Sequence, residues 1–342
     1  MRITIVTDAW APQVNGVVRT LGATRRELQA LGHDVTMITP ASFATLPCPT
    51  YPEIRLSLAR PATVGRLIDA SGCEALHIAT EGPLGWSARR HATRRGMTFT
   101  TAYHTRFPEY LRPRFGVPLD WSYALLRRFH APASNVMAPT PSIVDALKAR
   151  GFANAVLWSR GVDLELFAPR PLSGAPADGP DLPRPIFLYA GRVAVEKNLE
   201  AFLDLDLPGS KLIVGDGPRR AALQRRHCGP RICWAGAQPP DEIARFYRAA
   251  DVFVFPSLTD TFGLVMLEAL ACGLPVAAFD VPGPRDVIGG SDAGAIGPDL
   301  RVSCLRALEI PRARARAHAE RFSWGAAARQ FAGHLRPVSC AS

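Results

Sequence analysis

The amino-acid sequence predicts an α/β protein made of two doubly wound domains. Three observations lead there. Short apolar runs of strand type alternate with helical stretches from the first residues onward. Residues 169–185 are rich in Pro, Gly and Ala without apolar periodicity and read as a linker, after which strand-type runs resume at Ile186. A length of 342 residues accommodates two domains of ordinary size. The expected limits are a first domain over 1–168, the linker over 169–185, a second domain over 186–311 and a basic helical tail over 312–342.

In the first half, Arg2–Thr7 forms a strand, a helix runs from about Val17 to Leu31 with Gly32 as its stop, and His33–Thr39 is the next strand. Gly16 stands at the loop-to-helix junction. That position is either a plain βα turn or a place where backbone approaches a phosphate closely. No G-x-G-x-x-G is present, which weighs against a nicotinamide-dependent enzyme. Ala75–Ala79 is a buried strand, Trp86–Gly96 a helix and Met97–Tyr103 a further strand. His104 stands just past its carboxyl end, where ligands of open α/β sheets gather, although a lone histidine is more often structural. Leu119–Phe129 forms a helix with Trp121, Leu125 and Phe129 on one face, suited either to an anionic headgroup layer or to the core. Asn135–Thr140 is a strand, Ser142–Arg150 a helix, and Val156–Asp163 closes this half.

In the second half the strands are Ile186–Ala190, Lys211–Gly215, Arg231–Ala235, Asp251–Phe255 and Pro275–Phe279. Between the last two, Leu264–Cys272 reads as a helix stopped by Gly273, with Asp260 or Thr261 as cap. Gly263 leaves bare N–H groups at the helix mouth, where unpaired donors and the helix dipole favour an anion. Asp260 in the loop and Glu268, about two turns down the helix, put two carboxylates beside that socket. A sugar nucleotide presents hydroxyls, a diphosphate and more hydroxyls, which suits the arrangement. An ordinary helix with an N-terminal Asp and a surface Glu has the same local letters. Asp204-Leu-Asp206 has the form of a metal motif from a different fold and, lying between a helix and Pro208-Gly209, reads as coincidence.

Asp260, Phe262-Gly263-Leu264, Glu268-Ala269, Gly273 and Pro275-Val276 together resemble the E-x7-E signature of the retaining, nucleotide-sugar-dependent glycosyltransferases of family 4, which have the GT-B fold. The first acid departs from the pattern, being Asp where Glu is usual. Gly191-Arg192 followed by Glu196-Lys-Asn198 resembles the family's G-R…E-K-N motif, Tyr103–Glu109 its histidine segment, and Arg160-Gly-Val-Asp163 its hinge. The resemblance covers about residues 1–335 and implies two Rossmann-like domains facing across a cleft, with the tail from 312 crossing back onto the first. It further implies that Arg192 and Lys197 grip the donor diphosphate, Asp260 and the backbone of Phe262, Gly263 and Leu264 hold the sugar, and Glu268 holds the ribose. His104 would contact a sugar hydroxyl and the developing positive charge near the reacting carbon, and Gly16 with Arg19 would lie over the diphosphate. Gly191 and Gly215, at their strand ends, join the donor-binding set, while Glu81 and Glu109 are secondary candidates. No metal or other cofactor is expected. Together with the basic-aromatic first half, Thr80–Gly85 and Tyr103–Tyr110 look most like bacterial members that glycosylate membrane lipids such as diacylglycerol or mannosylate lipid carriers. The expected donor is therefore UDP-hexose or GDP-mannose and the expected acceptor a membrane lipid; the alternatives are polysaccharide assembly on a polyprenyl carrier and a non-catalytic sugar-nucleotide binder.

Composition narrows the partners. The formal net charge is +10, and between Gly85 and His130 nine arginines face two acidic residues. No nucleic-acid motif accompanies that charge, so no nucleic-acid partner is expected; its aromatic interleaving instead suits an anionic membrane surface. Seven scattered cysteines without C-x-x-C spacing argue against a disulfide framework or a zinc site. The chain enters a strand at once and has no apolar run of membrane-spanning length, so a cytoplasmic protein, peripheral on the inner face of the membrane, is expected.

Overall fold

A computed structural model describes residues 1–13, 15–48, 51–109, 116–169 and 179–339. The chain forms two compact units, Met1–Arg160 with Trp324–Ser342, and Gly161–Ser323.

The first unit has strands β1 (Arg2–Val6), β2 (Asp34–Ile38), β3 (Thr45–Cys48), β4 (Tyr51–Ser57), β5 (Ala75–Ile78), β6 (Thr100–Ala102), β7 (Val136–Ala138) and β8 (Ala155–Leu157). Six of them form a parallel sheet in the order β2-β1-β5-β6-β7-β8, while β3 and β4 pair antiparallel on their own. Side chains alternate across the sheet. Ile3 and Ile5 pack with Leu21, Leu28 and Phe331, whereas Val6 packs with Val64, Ile68 and Leu84. Order reverses between β1 and β5, so the crevice at their carboxyl ends is where ligands of such sheets bind.

The second unit has β9 (Ile186–Ala190), β10 (Ser210–Val214), β11 (Ile232–Gly236), β12 (Val252–Phe255), β13 (Val276–Phe279) and β14 (Gly294–Gly297), parallel in the order β11-β10-β9-β12-β13-β14. This is the Rossmann order, with its switch point between β9 and β12. Phe187 and Tyr189 pack with Phe202, Leu223 and Val254 on one face; Leu188 and Ala190 pack with Tyr247, Phe253 and Leu270 on the other.

Several expected boundaries differ. The first unit ends at Arg160, ahead of the Pro/Gly-rich stretch, of which 170–178 lie outside the described residues. The basic tail is two helices, Arg312–Ala319 in the second unit and Trp324–His334 in the first. Helices Pro61–Ser71, Pro83–Arg94, Pro141–Ala149, Pro240–Ala249 and Pro282–Ile288 all begin on a proline. Proline is favoured at the first helical position, where no N–H is needed, and two of these helices start at Pro83 and Pro141, ahead of the expected Trp86 and Ser142. On Leu119–His130, Trp121 and Leu125 are exposed but Phe129 is fully buried, which corrects the single three-residue face. A spacing of four drifts around a helix of 3.6 residues per turn, carrying the third position into the core.

Candidate functional site

The second unit gathers its candidates at the switch point. Two loops meet there, one leaving β9 and one leaving β12. Lys197, at the end of a short 3-10 turn (Val195–Lys197), places Nζ 2.6 and 2.9 Å from the two carboxylate oxygens of Asp260. Asn198 Nδ2 donates to Pro256 O at 3.1 Å, and Ser257 Oγ donates to Glu196 O at 3.3 Å. Asn198 takes a left-handed conformation, φ 52°, which lets the chain turn from the 3-10 segment into helix Leu199–Leu203. The pair is therefore set by a doubly tied loop crossing and not by two flexible surface arms.

Arg192 lies on the same β9 loop, half-buried, with its carbonyl accepting from Tyr189 Oη at 2.7 Å. Val193 N donates to Asp216 O at 2.9 Å, closing this loop onto the one after β10. Gly191 and Gly215 come together there. A Cβ on Gly215 would stand 1.9 Å from Gly191 O, and its φ is 140°, so only glycine fits. Gly215 thus serves close packing of the β9 and β10 loops.

Helix Leu264–Ala271 begins after Gly263, whose φ of 84° turns the chain into it, and no side chain caps its first turn. Asp260 is therefore not the cap expected of it, because its carboxylate is engaged by Lys197. Glu268 is the fifth residue of the helix, a little over one turn in, since the helix starts only at Leu264. It is 3% exposed, and Tyr247 Oη donates to its Oε2 at 3.3 Å. The surface-Glu alternative does not fit that burial. Phe262 is buried against Phe322, so its side chain belongs to the core, while Leu264 is half-buried at the helix start. Gly283, unnoticed in the sequence, leaves room for the Asp260 carbonyl: a Cβ there would lie 2.7 Å from that oxygen.

In the first unit, His104 follows β6 and is half-buried. Arg160 Nη2 lies 3.4 Å from its Nδ1, and the Trp158 ring meets it edge-on at 5.7 Å. Burial, then the charge of Arg160 and the neighbouring His77, holds the imidazole well below its ordinary pKa. Gly16 opens helix Gly16–Ala30, capped by Asn15, whose Oδ1 accepts from Val17 N and Val18 N, both at 3.0 Å. Those donors already have a partner, so this helix mouth is less open than the one at Gly263. Arg19 lies half-buried one turn in. Glu109 accepts from Arg106 (2.9 Å) and Tyr123 (2.8 Å), which makes it a fastener of its own loop, and Glu81 meets His130 Nε2 at 3.2 Å. Residues 110–115, part of the basic-aromatic segment, lie outside the described residues. Among the described residues no group of three His, Cys, Asp or Glu side chains is placed to hold a metal ion.

Residues 184–303 match the family described as "Glycosyl transferases group 1", and residues 14–166 match "Glycosyltransferase Family 4". The chain is 31% identical to a GDP-mannose-dependent alpha-mannosyltransferase of Mycobacterium tuberculosis, over 87% of this chain and 84% of that one. It is 26% identical to an alpha-monoglucosyldiacylglycerol synthase of Streptococcus pneumoniae, over 90% and 78%. Among solved structures, a sucrose-phosphate synthase from Thermosynechococcus elongatus superposes with a TM-score of 0.77 at 22% identity, covering 97% of each chain.

Proposed function

The chain belongs to glycosyltransferase family 4, with the GT-B fold, and on that premise we propose that it moves a hexose from UDP-hexose or GDP-mannose to a membrane lipid acceptor of the diacylglycerol class, with retention of anomeric configuration and without a metal ion. The observation that carries this reading is the Lys197–Asp260 pair at the β9/β12 switch point, beside an uncapped helix that holds Glu268. A cation, a loop arginine and a helix mouth on one strand-end crevice are what a diphosphate leaving group requires.

Lys197 and Arg192 neutralise the diphosphate as it departs, with the Gly263 helix mouth donating to it. A phosphoryl oxygen reaching Lys197 exchanges with one Asp260 oxygen and releases that carboxylate to the sugar hydroxyls. Glu268, preset by Tyr247, accepts from the ribose. The C1–O bond to the diphosphate breaks as the acceptor oxygen bonds C1 on the same face, and the acceptor proton passes to the departing phosphate oxygen. His104 serves the same transfer by contact with a sugar hydroxyl; being neutral, it adds no positive charge beside the electron-poor C1.

For the acceptor, the support is the name of the glycolipid-synthesising relative together with helix Leu119–His130. That helix exposes Trp121 and Leu125, with Arg127 and Arg128 exposed on the turn that follows. Among the described residues no helix is long and apolar enough to cross a membrane, so we propose peripheral binding to anionic lipid at the inner leaflet. The test is transfer from isotopically labelled UDP-glucose and GDP-mannose to diacylglycerol in anionic vesicles, with the product's anomeric coupling read by NMR. Retained configuration supports the reading; an inverted product, or no transfer to lipid from either donor, refutes it.

A further inference from the structure

Arg160 belongs to no part of the donor site, yet it is one of the most constrained cations in the first unit. It lies three residues past β8 and is 4% exposed. Nη1 donates to Trp158 O at 2.6 Å and to Ser159 O at 3.1 Å, and the guanidinium covers the Trp158 ring at 4.2 Å. Its charge is thus met by carbonyls and an aromatic face, and among the described residues no carboxylate pairs with it. A cation buried without a carboxylate calls for a reason, because breaking free of water is costly. Its remaining contact is Nη2 to His104 Nδ1 at 3.4 Å.

Guanidinium nitrogens donate and never accept. The imidazole nitrogen facing Arg160 must therefore present its lone pair, and in a neutral ring the proton then sits on the other nitrogen. We propose that Arg160 is a positioning residue that fixes His104 as the neutral tautomer with the proton on Nε2, so that this ring offers a hydrogen-bond donor to the sugar. The kinetic consequence rests on the role given to His104 above; the tautomer itself does not. A purely structural Arg160 would fasten Trp158 and Ser159 equally well with either His104 tautomer. Of the groups around the ring, Arg160 alone distinguishes its two nitrogens, by facing Nδ1; Trp158 packs edge-on and leaves that choice open.

The experiment is nitrogen NMR of the full chain labelled at its eight histidine imidazoles, with His104→Gln identifying the His104 signals. In the unsubstituted protein, His104 should show a bare Nδ1 and a protonated Nε2. Arg160→Met, which keeps bulk but removes the donor, should shift both nitrogens toward a tautomer mixture and lower kcat by about tenfold or more while the donor KM moves less than about twofold. Arg160→Lys, still a donor and a cation, should keep the original nitrogen pattern. A protonated Nδ1 in the unsubstituted protein overturns the assignment outright, whether or not the Met variant folds, and so does an Arg160→Met spectrum identical to it. Full-rate transfer by His104→Gln would remove the functional role of His104 alone; the nitrogen pattern decides the tautomer in either case.

Discussion

Replacing His77 with Gln is expected to flatten the acid side of the stability profile. His77 is fully buried on β5, with Nδ1 2.8 Å from Thr100 Oγ1 and the Phe331 ring edge-on at 4.8 Å. Burial first, and the charge of Arg160 second, lower its pKa from 6.5 to about 3. As pH falls the unfolded chain therefore takes up this proton before the folded one does. The stabilisation is complete above the unfolded value and drains away between about pH 6.5 and pH 3. Each pH unit in that window costs about 1.4 kcal/mol, so moving from pH 7 to pH 5 removes about 2 kcal/mol through this residue alone. That figure hardly depends on the folded value, provided it stays below about 4. Urea unfolding at the two pH values, followed by tryptophan fluorescence, reads it, since five of the six tryptophans lie in the first unit. The Gln variant should be less stable at pH 7, having lost ring contacts, but should lose about 2 kcal/mol less on acidification. An identical acid loss in both proteins would refute a buried neutral His77.

Lys197→Ala and Glu268→Ala should each lower steady-state transfer by about 10²–10³-fold with an unchanged circular dichroism spectrum, as expected when a fixed group facing the reacting donor is removed; near-normal rates would discredit the donor site. Gly215→Ala should destabilise the second unit by about 2–4 kcal/mol, because the new methyl meets the Gly191 carbonyl at a left-handed φ; calorimetry showing no change would mean that the loops do not pack as described. Trp121→Ser with Leu125→Ser should weaken sedimentation with anionic vesicles by about tenfold or more, each side chain contributing about 1.5–3 kcal/mol if buried in lipid. Unaltered vesicle binding would move the membrane surface elsewhere.

Much of the fold was legible because both sheets are parallel and buried on both faces. Strands such as Ile186–Ala190 and Val252–Phe255 then appear as uninterrupted apolar runs. Their order in the sheet was not legible, and it is the order that makes β9 and β12 neighbours and brings Lys197 to Asp260 across 63 positions of sequence. The letters around Asp260 and Glu268 named the acids, but they did not tell a cap from an ion-pair partner, nor a surface Glu from a buried one. That distinction is tertiary: Gly263 delays the helix, and Tyr247 arrives from another element to meet Glu268. Helices starting on proline were shortened or missed because the residue that interrupts helices also begins them. Arg160 was visible only as a letter of a hinge motif, since its meaning depends on the loop after β8 reaching His104 past β6, with β7 between the two strands.

If Lys197 and its neighbours form a diphosphate socket in the second unit, titration calorimetry with GDP and UDP probes it without any acceptor. At least one nucleotide should bind the unsubstituted protein, and Lys197→Ala should weaken that binding by about tenfold or more, a loss of about 1.4 kcal/mol. Equal affinity in the two proteins, or heat from neither nucleotide, would contradict it.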